Sequence, residues 1–340
     1  MHSGAEWLYA NSNGLERNVI KAAAKYLGSE LSNPLYYYPN FAIASLPIRQ
    51  LPSAEDIWRR KNNEFELALS SGHTFSKNGL EKIGVPYGTR ARLILLYIVH
   101  QTRITPPEEK CIFMGKSLSD FMQKNGIHVR GGNFGSIGPL RKQAARLARC
   151  RFEFIFPDKW NKEFQTDDFS LSGTQLWKTS DTNQWPEFIT VSSEFKESVK
   201  KHAFPLDRSA ISILKQNALA FDWYVFLSYR VRKTKNFNTP IFIPWNKVME
   251  QMGCNYRRYA DLKANTIRAL KYVGAVYPNL SLLVTHRGIT IDRPAPQTFP
   301  KRKSLIKDYQ LSSPQSMLND AQDLVFNKHS NADKDTPTNK

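Results

Sequence analysis

The sequence predicts an α+β fold made of one small unit built twice. Three observations predict it: the same order of elements recurs in two stretches, each copy carries a basic amphipathic helix, and the chain is strongly cationic. The first copy runs from Ala91 to Phe156. ARLILLYIVHQTR is apolar on nearly all sides and reads as a buried helix. A short strand, CIFM, and a polar helix, SLSDFMQKNG, follow it. A glycine-rich turn, a basic helix (IGPLRKQAARLAR) and a strand (CRFEFIF) complete the copy. The second copy, Ala218 to Ile291, has ALAFDWYVFLSYRVR, IFIP, WNKVMEQMG, YRRYADLKANTIRALKYVG, AVYP and a hairpin, LSLLVTHRGITI. Helix, strand, helix, basic helix, hairpin is the order of a winged helix-turn-helix. The prediction is therefore two tandem winged helix-turn-helix domains related as an internal repeat, with an N-terminal extension and a disordered C-terminal tail.

The divisions follow from composition. Residues 1–70 form an N-terminal helix and extended arm, 71–203 the first domain, 204–294 the second, and 295–340 the tail. In the arm, Leu15, Val19, Ala23 and Tyr26 recur at helical spacing. Tyr36 to Pro52, rich in aromatics and proline, is expected to cross the surface in extended form. Ile57 to Leu69 is expected to be an arm or strand pair. Between the copies, Phe169 to Leu171 and Phe188 to Val191 read as strands belonging to the rest of the first wing. Ser193 to Lys201 reads as a helix, and Asp207 as an N-cap for Arg208 to Gln216. Beyond Pro294 a run of Ser, Asn, Asp, Lys and Thr predicts disorder. Within it Ser313-Pro314 is a helix start, and Met317, Ala321, Leu324 and Val325 share a face. An inert tail and a docking helix both remain open there.

The 340 residues suffice for two cored domains. A formal charge of +18 favours a polyanionic partner, either nucleic acid or an anionic membrane. The membrane reading is weak, because the longest apolar run, Leu93 to Val99, is far short of the ~20 residues a spanning helix needs. MHSGAEWLYANSNG lacks a basic region followed by an apolar core, so no signal peptide is expected and a cytoplasmic location is. Cys111, Cys150 and Cys254 are odd in number and scattered, so neither a disulfide framework nor a zinc site is expected.

The two basic helices carry the candidate chemistry. From Phe121 to Phe152 there is no Asp or Glu. Ile137, Leu140, Ala144 and Leu147 share one helical face, and Lys142, Arg146 and Arg149 fall on the other. An apolar stripe anchors such a helix while cations project outward to phosphate oxygens or the guanine O6/N7 edge. With Arg130 and Arg141, these are the expected DNA-binding residues of the first domain. In the second helix Tyr259, Leu262, Thr266, Leu270 and Val273 make the inward stripe. Arg258, Asp261, Asn265 and Arg268 make the outward one, beside Arg257. This mixed polar face suits base reading, whereas the all-cationic first helix suits phosphate positioning. Leu282, Val284, Ile289 and Ile291 predict paired strands around His286-Arg287-Gly288, with Arg287 at a wing tip. The competing account is a solvated basic face and an exposed turn residue with no ligand.

The histidines are nowhere one residue apart, so the His-x-His metal site of strand-nicking initiators is missing. No G-x-x-x-x-G-K-[ST] loop and no H-E-x-x-H occur. GGNFGSIG, Gly131 to Gly138, lacks the Lys-Ser/Thr ending of a nucleotide cradle and suits a flexible connection between two helices. A non-enzyme without cofactor or metal is expected.

Several segments recur together: SLPIRQLP with Trp58 following, GVPYGTRARLILLYI, GKSLSDFM, and GG…GSIGPLRKQAARLARC. PLDRSAISILKQNALAFDWYVFLSYR, IPWNKVMEQMG and the late VYP complete the set. With these segments, residues 37–292 resemble the RepA family of bacterial plasmid replication initiators. The chain departs from the family in carrying Ile48 where a histidine is expected. The resemblance implies binding to repeated double-stranded sites in a plasmid origin. It also implies local strand opening, recruitment of the host initiator and replicative helicase, and a homodimer that represses its own promoter. A repressor with the same heads and no replication role is the alternative, and an origin-nicking enzyme a second.

Overall fold

The computed structural model describes residues 14–29, 33–62, 65–76, 79–109, 111–124, 137–155, 169–170, 188–234, 239–252, 256, 258–277 and 280–291. In chain order the first elements are α1 (Gly14–Leu27), β1 (Leu35–Tyr37), α2 (Pro39–Ile43), β2 (Ile57–Asn62), β3 (Phe65–Ser70), β4 (His73–Ser76) and β5 (Gly79–Lys82). The first predicted unit supplies α3 (Gly88–Ile104), β6 (Cys111–Phe113), α4 (Leu118–Lys124), α5 (Ile137–Arg149), β7 (Arg151–Ile155), β8 (Phe169–Ser170) and β9 (Phe188–Thr190). Next come α6 (Ser193–His202), β10 (Phe204–Leu206) and α7 (Arg208–Leu214). The second unit follows with α8 (Ala218–Lys233), β11 (Ile241–Pro244), α9 (Trp245–Met252), α10 (Tyr259–Val276), β12 (Leu282–Val284) and β13 (Gly288–Ile291). The fold is α+β, and each unit keeps the expected order of helices.

Local chemistry sets several helix starts. Ser192 caps α6 by accepting from the Phe195 amide, Asp207 caps α7 by accepting from Ser209 and Ala210, and Asn217 caps α8 by accepting from Ala220. α3 opens on Gly88, whose φ of +75° suits glycine alone and whose N–H donates to the Pro47 carbonyl at 2.9 Å. α3 and α8 are buried over most of their length, as their apolar runs predict.

The strands of the second unit form an antiparallel sheet ordered β11-β13-β12, with Leu282 opposite Ile291 and Val284 opposite Ile289. The first unit differs. Its β6 pairs with β9, but β7 leaves to join a four-stranded sheet ordered β2-β3-β7-β8. The registers Leu67 with Phe154 and Leu69 with Phe152 place the inward side chains of β3 and β7 together. After α5, β7 pairs antiparallel with the next strand, β8, as expected of a wing, with Phe152 opposite Phe169; the difference is that β3 takes the other edge of β7 and that β9 joins β6 instead.

Tyr36 to Pro52 is not a surface crossing. Tyr37, Tyr38, Phe41, Ala44 and Leu46 are buried, and the three rings meet Phe152, Phe154, Phe195 and Phe221. The proline-rich stretch satisfies extended geometry while its aromatics fill the space between the units. β1 pairs with β10, β2 packs on α9, and α1 packs on α10 and α7. One continuous apolar core therefore runs through the N-terminal segment and both units. Among the described residues no helix is long and apolar enough to cross a membrane. The predicted tail helix at Ser313-Pro314 lies outside the described residues.

Candidate nucleic-acid interface

α10 buries Leu262, Thr266, Ala269, Leu270, Val273 and Val276. Four of the five predicted stripe residues face inward. Tyr259 does not; it is 44% exposed because it occupies the first position of the helix, beyond the edge of the core. The outward face carries the expected polar groups, already ordered among themselves. The Arg258 Nε and one terminal nitrogen donate to the two carboxylate oxygens of Asp261, both at 2.9 Å. The Asn265 amide donates to the Asp261 carbonyl at 2.8 Å, and Arg268 is exposed. Arg258 and Asp261 thus form a two-bonded pair on the solvent side of the helix. Arg257 lies outside the described residues.

Arg287 is exposed in the turn between β12 and β13. The turn is held from below. Trp245 donates its indole N–H to the Thr285 carbonyl at 2.9 Å and its backbone N–H to the Arg287 carbonyl at 3.2 Å. Thr285 Oγ1 accepts from the Arg287 and Gly288 amides, each at 3.3 Å.

α5 turns Leu140, Gln143, Ala144 and Leu147 inward. Lys142 is exposed, and Arg141 and Arg149 are half-buried. Arg146 corrects the helical-wheel assignment: only 3% of it is exposed. Its guanidinium stacks over the Tyr87 ring at 4.8 Å and donates to the Val85 carbonyl at 3.3 Å. A long side chain leaving the edge of the polar face can bend back over its own helix, and Tyr87 supplies the flat partner that rewards it. Gln143 completes this junction by accepting from the Tyr87 amide at 2.9 Å. Arg130 and most of the GGNFGSIG turn lie outside the described residues.

The two basic helices border one cleft of about 760 Å³. Gly138, Pro139 and Lys142 of α5 stand on one side, and Asn265, Arg268 and Tyr272 of α10 on the other. Between them lie the first turns of α3 and α8, contributing Gly88, Thr89, Arg90, Ala218 and Leu219, with Tyr87, Tyr256 and Leu15 at the margin. Amide N–H groups at helix N-termini favour anionic groups. Arg90, Tyr256 and Tyr272 were missed in the sequence. Arg90 sits in the first turn of a helix that reads as scaffold, and neither tyrosine belongs to a charge pattern. Leu15 had no signal beyond helical spacing, which cannot say where the helix docks.

No curated protein matches the chain. Among solved structures, it is similar to the crystal structure of domain 2 and domain 3 of RctB, with a TM-score of 0.48 and 12% identity. That likeness covers 75% of this chain and 98% of the other. Residues 85–247, from just before α3 into α9, match the family described as plasmid encoded RepA protein.

Proposed function

We propose that this protein initiates plasmid replication by binding repeated double-stranded DNA sites at the origin through two winged helices. The observation that carries the reading is the shared cleft, which Lys142 of α5 and Arg268 of α10 line together. Two recognition helices on one side can enter successive major grooves of one duplex, with the intervening phosphates against the cleft. The +18 charge supplies the long-range attraction. In this reading α10 reads bases through Arg258, Asn265 and Arg268, with Arg257 beside them. α5 grips phosphate through Arg141, Lys142 and Arg149, with Arg130 from the preceding turn. Arg287 contacts the backbone from the turn of the second wing. The protein acts as a binder rather than an enzyme and works in the bacterial cytoplasm on the plasmid. Recruitment of the host initiator and helicase, and a homodimer on an inverted repeat, complete the scheme.

The test has two arms. Fluorescence anisotropy should give tighter binding to the plasmid's own origin repeats than to random duplex. Supply of the protein in trans should then allow an origin plasmid to replicate in a host lacking it. Tight binding without replication would favour the repressor reading. A covalent protein–DNA product on supercoiled plasmid would overturn the non-enzymatic reading.

A further inference from the structure

Beside α5 stands a hairpin that no part of the predicted repeat accounts for. Strands β4 and β5 pair antiparallel, Phe75 opposite Leu80 and His73 opposite Lys82. The hairpin precedes α3 in the chain, yet both its feet are fixed to α5. At one foot, a Cβ added to Gly72 would fall 2.1 Å from the Arg149 carbonyl oxygen, so the backbone there lies directly on the last turn of the helix. At the other, Gly84 at φ +77° packs against the Arg146 guanidinium. The feet are tied to each other by Ile83 N–H to the Gly72 carbonyl at 3.1 Å and Gly84 N–H to Ser71 Oγ at 3.0 Å. Arg146, withdrawn from the surface, therefore serves as part of the hairpin's mount.

Between hairpin and helix runs a groove of about 520 Å³. Arg141, Lys142 and Arg149 line the α5 side and Lys82 the hairpin side, with Glu81 the one carboxylate among the lining residues. Lys82 also pairs with Asp56. On β5, Leu80 is 60% exposed. A groove with cations on both walls suits one sugar–phosphate strand. An apolar side chain beyond that strand suits the sugar edges and floor of a minor groove, where leucines are used as wedges.

We infer that β4–β5 acts as an additional wing beside α5. It straddles one DNA strand, with α5 on the major-groove side and Leu80 in the adjoining minor groove. The inference rests on the duplex-binding reading above.

Hydroxyl-radical footprinting on an origin repeat tests it, comparing the parent chain with Leu80→Asp and Leu80→Asn. Both substitutions replace an exposed side chain, and thermal melts establish that each variant folds. The expected result is loss of protection in one minor groove flanking the α5 site. Affinity should fall about tenfold or more for Leu80→Asp and less for Leu80→Asn. An unchanged footprint with parental affinity in both variants would overturn the assignment of the hairpin. A parent chain that protects no duplex would instead overturn the functional reading on which it stands.

Discussion

Arg92 and Asp222 occupy the same place in the two units: each is the fifth residue of its unit's buried helix, α3 or α8. Their side chains meet in a two-bonded ion pair, Nε to Oδ1 at 2.7 Å and a terminal nitrogen to Oδ2 at 2.6 Å. Both are almost inaccessible, at 1% and 5% of the side chain. The remaining Arg92 donors reach the carbonyls of Leu46, Pro47 and Gly88. The pair thus locks the two units and the N-terminal segment at one point beneath the cleft.

Removing one partner leaves a buried charge without compensation. Asp222→Ala is expected to lower stability by about 3–5 kcal/mol. The double variant Arg92→Met/Asp222→Leu should recover only part of that loss, because the carbonyls of Leu46 and Pro47 then lose their donor. Urea unfolding followed by tryptophan fluorescence and by circular dichroism measures both. A single variant as stable as the parent would show that the pair does not join the units.

Lys142 and Arg146 should behave differently although they lie four residues apart on one helix. Lys142→Ala is expected to weaken all duplexes and flatten the slope of log K against log salt by about 0.9 if one phosphate contact is lost. Arg146→Ala should act first on folding, at about 1–3 kcal/mol, because the Val85 carbonyl loses its donor and Tyr87 its stacking partner. Titrations across a salt series, paired with melts, separate the two. An equal slope change in both variants would contradict the burial of Arg146.

Arg268→Ala is expected to cost about 1–3 kcal/mol on the cognate site and much less on random duplex. Arg258→Ala should release Asp261 as well as remove a cation, so its effect should shrink when Asp261 is changed too. A double-mutant cycle by anisotropy measures this coupling. Equal losses on cognate and random DNA for Arg268→Ala would remove base reading from α10.

His100 gives a pH dependence. Its ring stacks on Tyr36, and Nδ1 accepts from the Tyr36 amide at 3.4 Å. Burial, with a smaller contribution from the Arg208 charge, pulls its pKa down from 6.5 to about 3. The unfolded chain therefore binds a proton that the folded chain refuses. The stability due to the neutral ring is complete above pH 6.5 and is lost as pH falls toward 3, by up to about 1.4 kcal/mol per unit. Urea midpoints between pH 7 and 4 should fall more steeply for the parent than for His100→Gln.

The order of elements was legible because helix and strand periodicities are local. α1, α3, α5, α8, α10 and the β12–β13 hairpin lie where spacing puts them. What escaped depends on partners far along the chain. The Arg92–Asp222 pair spans 130 positions, and no periodic pattern distinguishes Arg92 from an arginine at a helix end. β7 reads as a wing strand and does pair with β8, but no local pattern shows that the distant β3 takes its other edge. Arg146 projects outward by angle alone, but its length lets it fold back onto Tyr87. Lys142, Arg258 and Arg268 remain on the surface as read, since short-range amphipathicity decides their direction.

Protection of guanine N7 from dimethyl sulphate on a single origin repeat tests the paired-helix account most directly. Two clusters of protected guanines on one face, about 10 bp apart, are predicted, with Arg268→Ala erasing one cluster and sparing the other. A single cluster, or two that vanish together, would mean that α5 and α10 do not occupy successive major grooves.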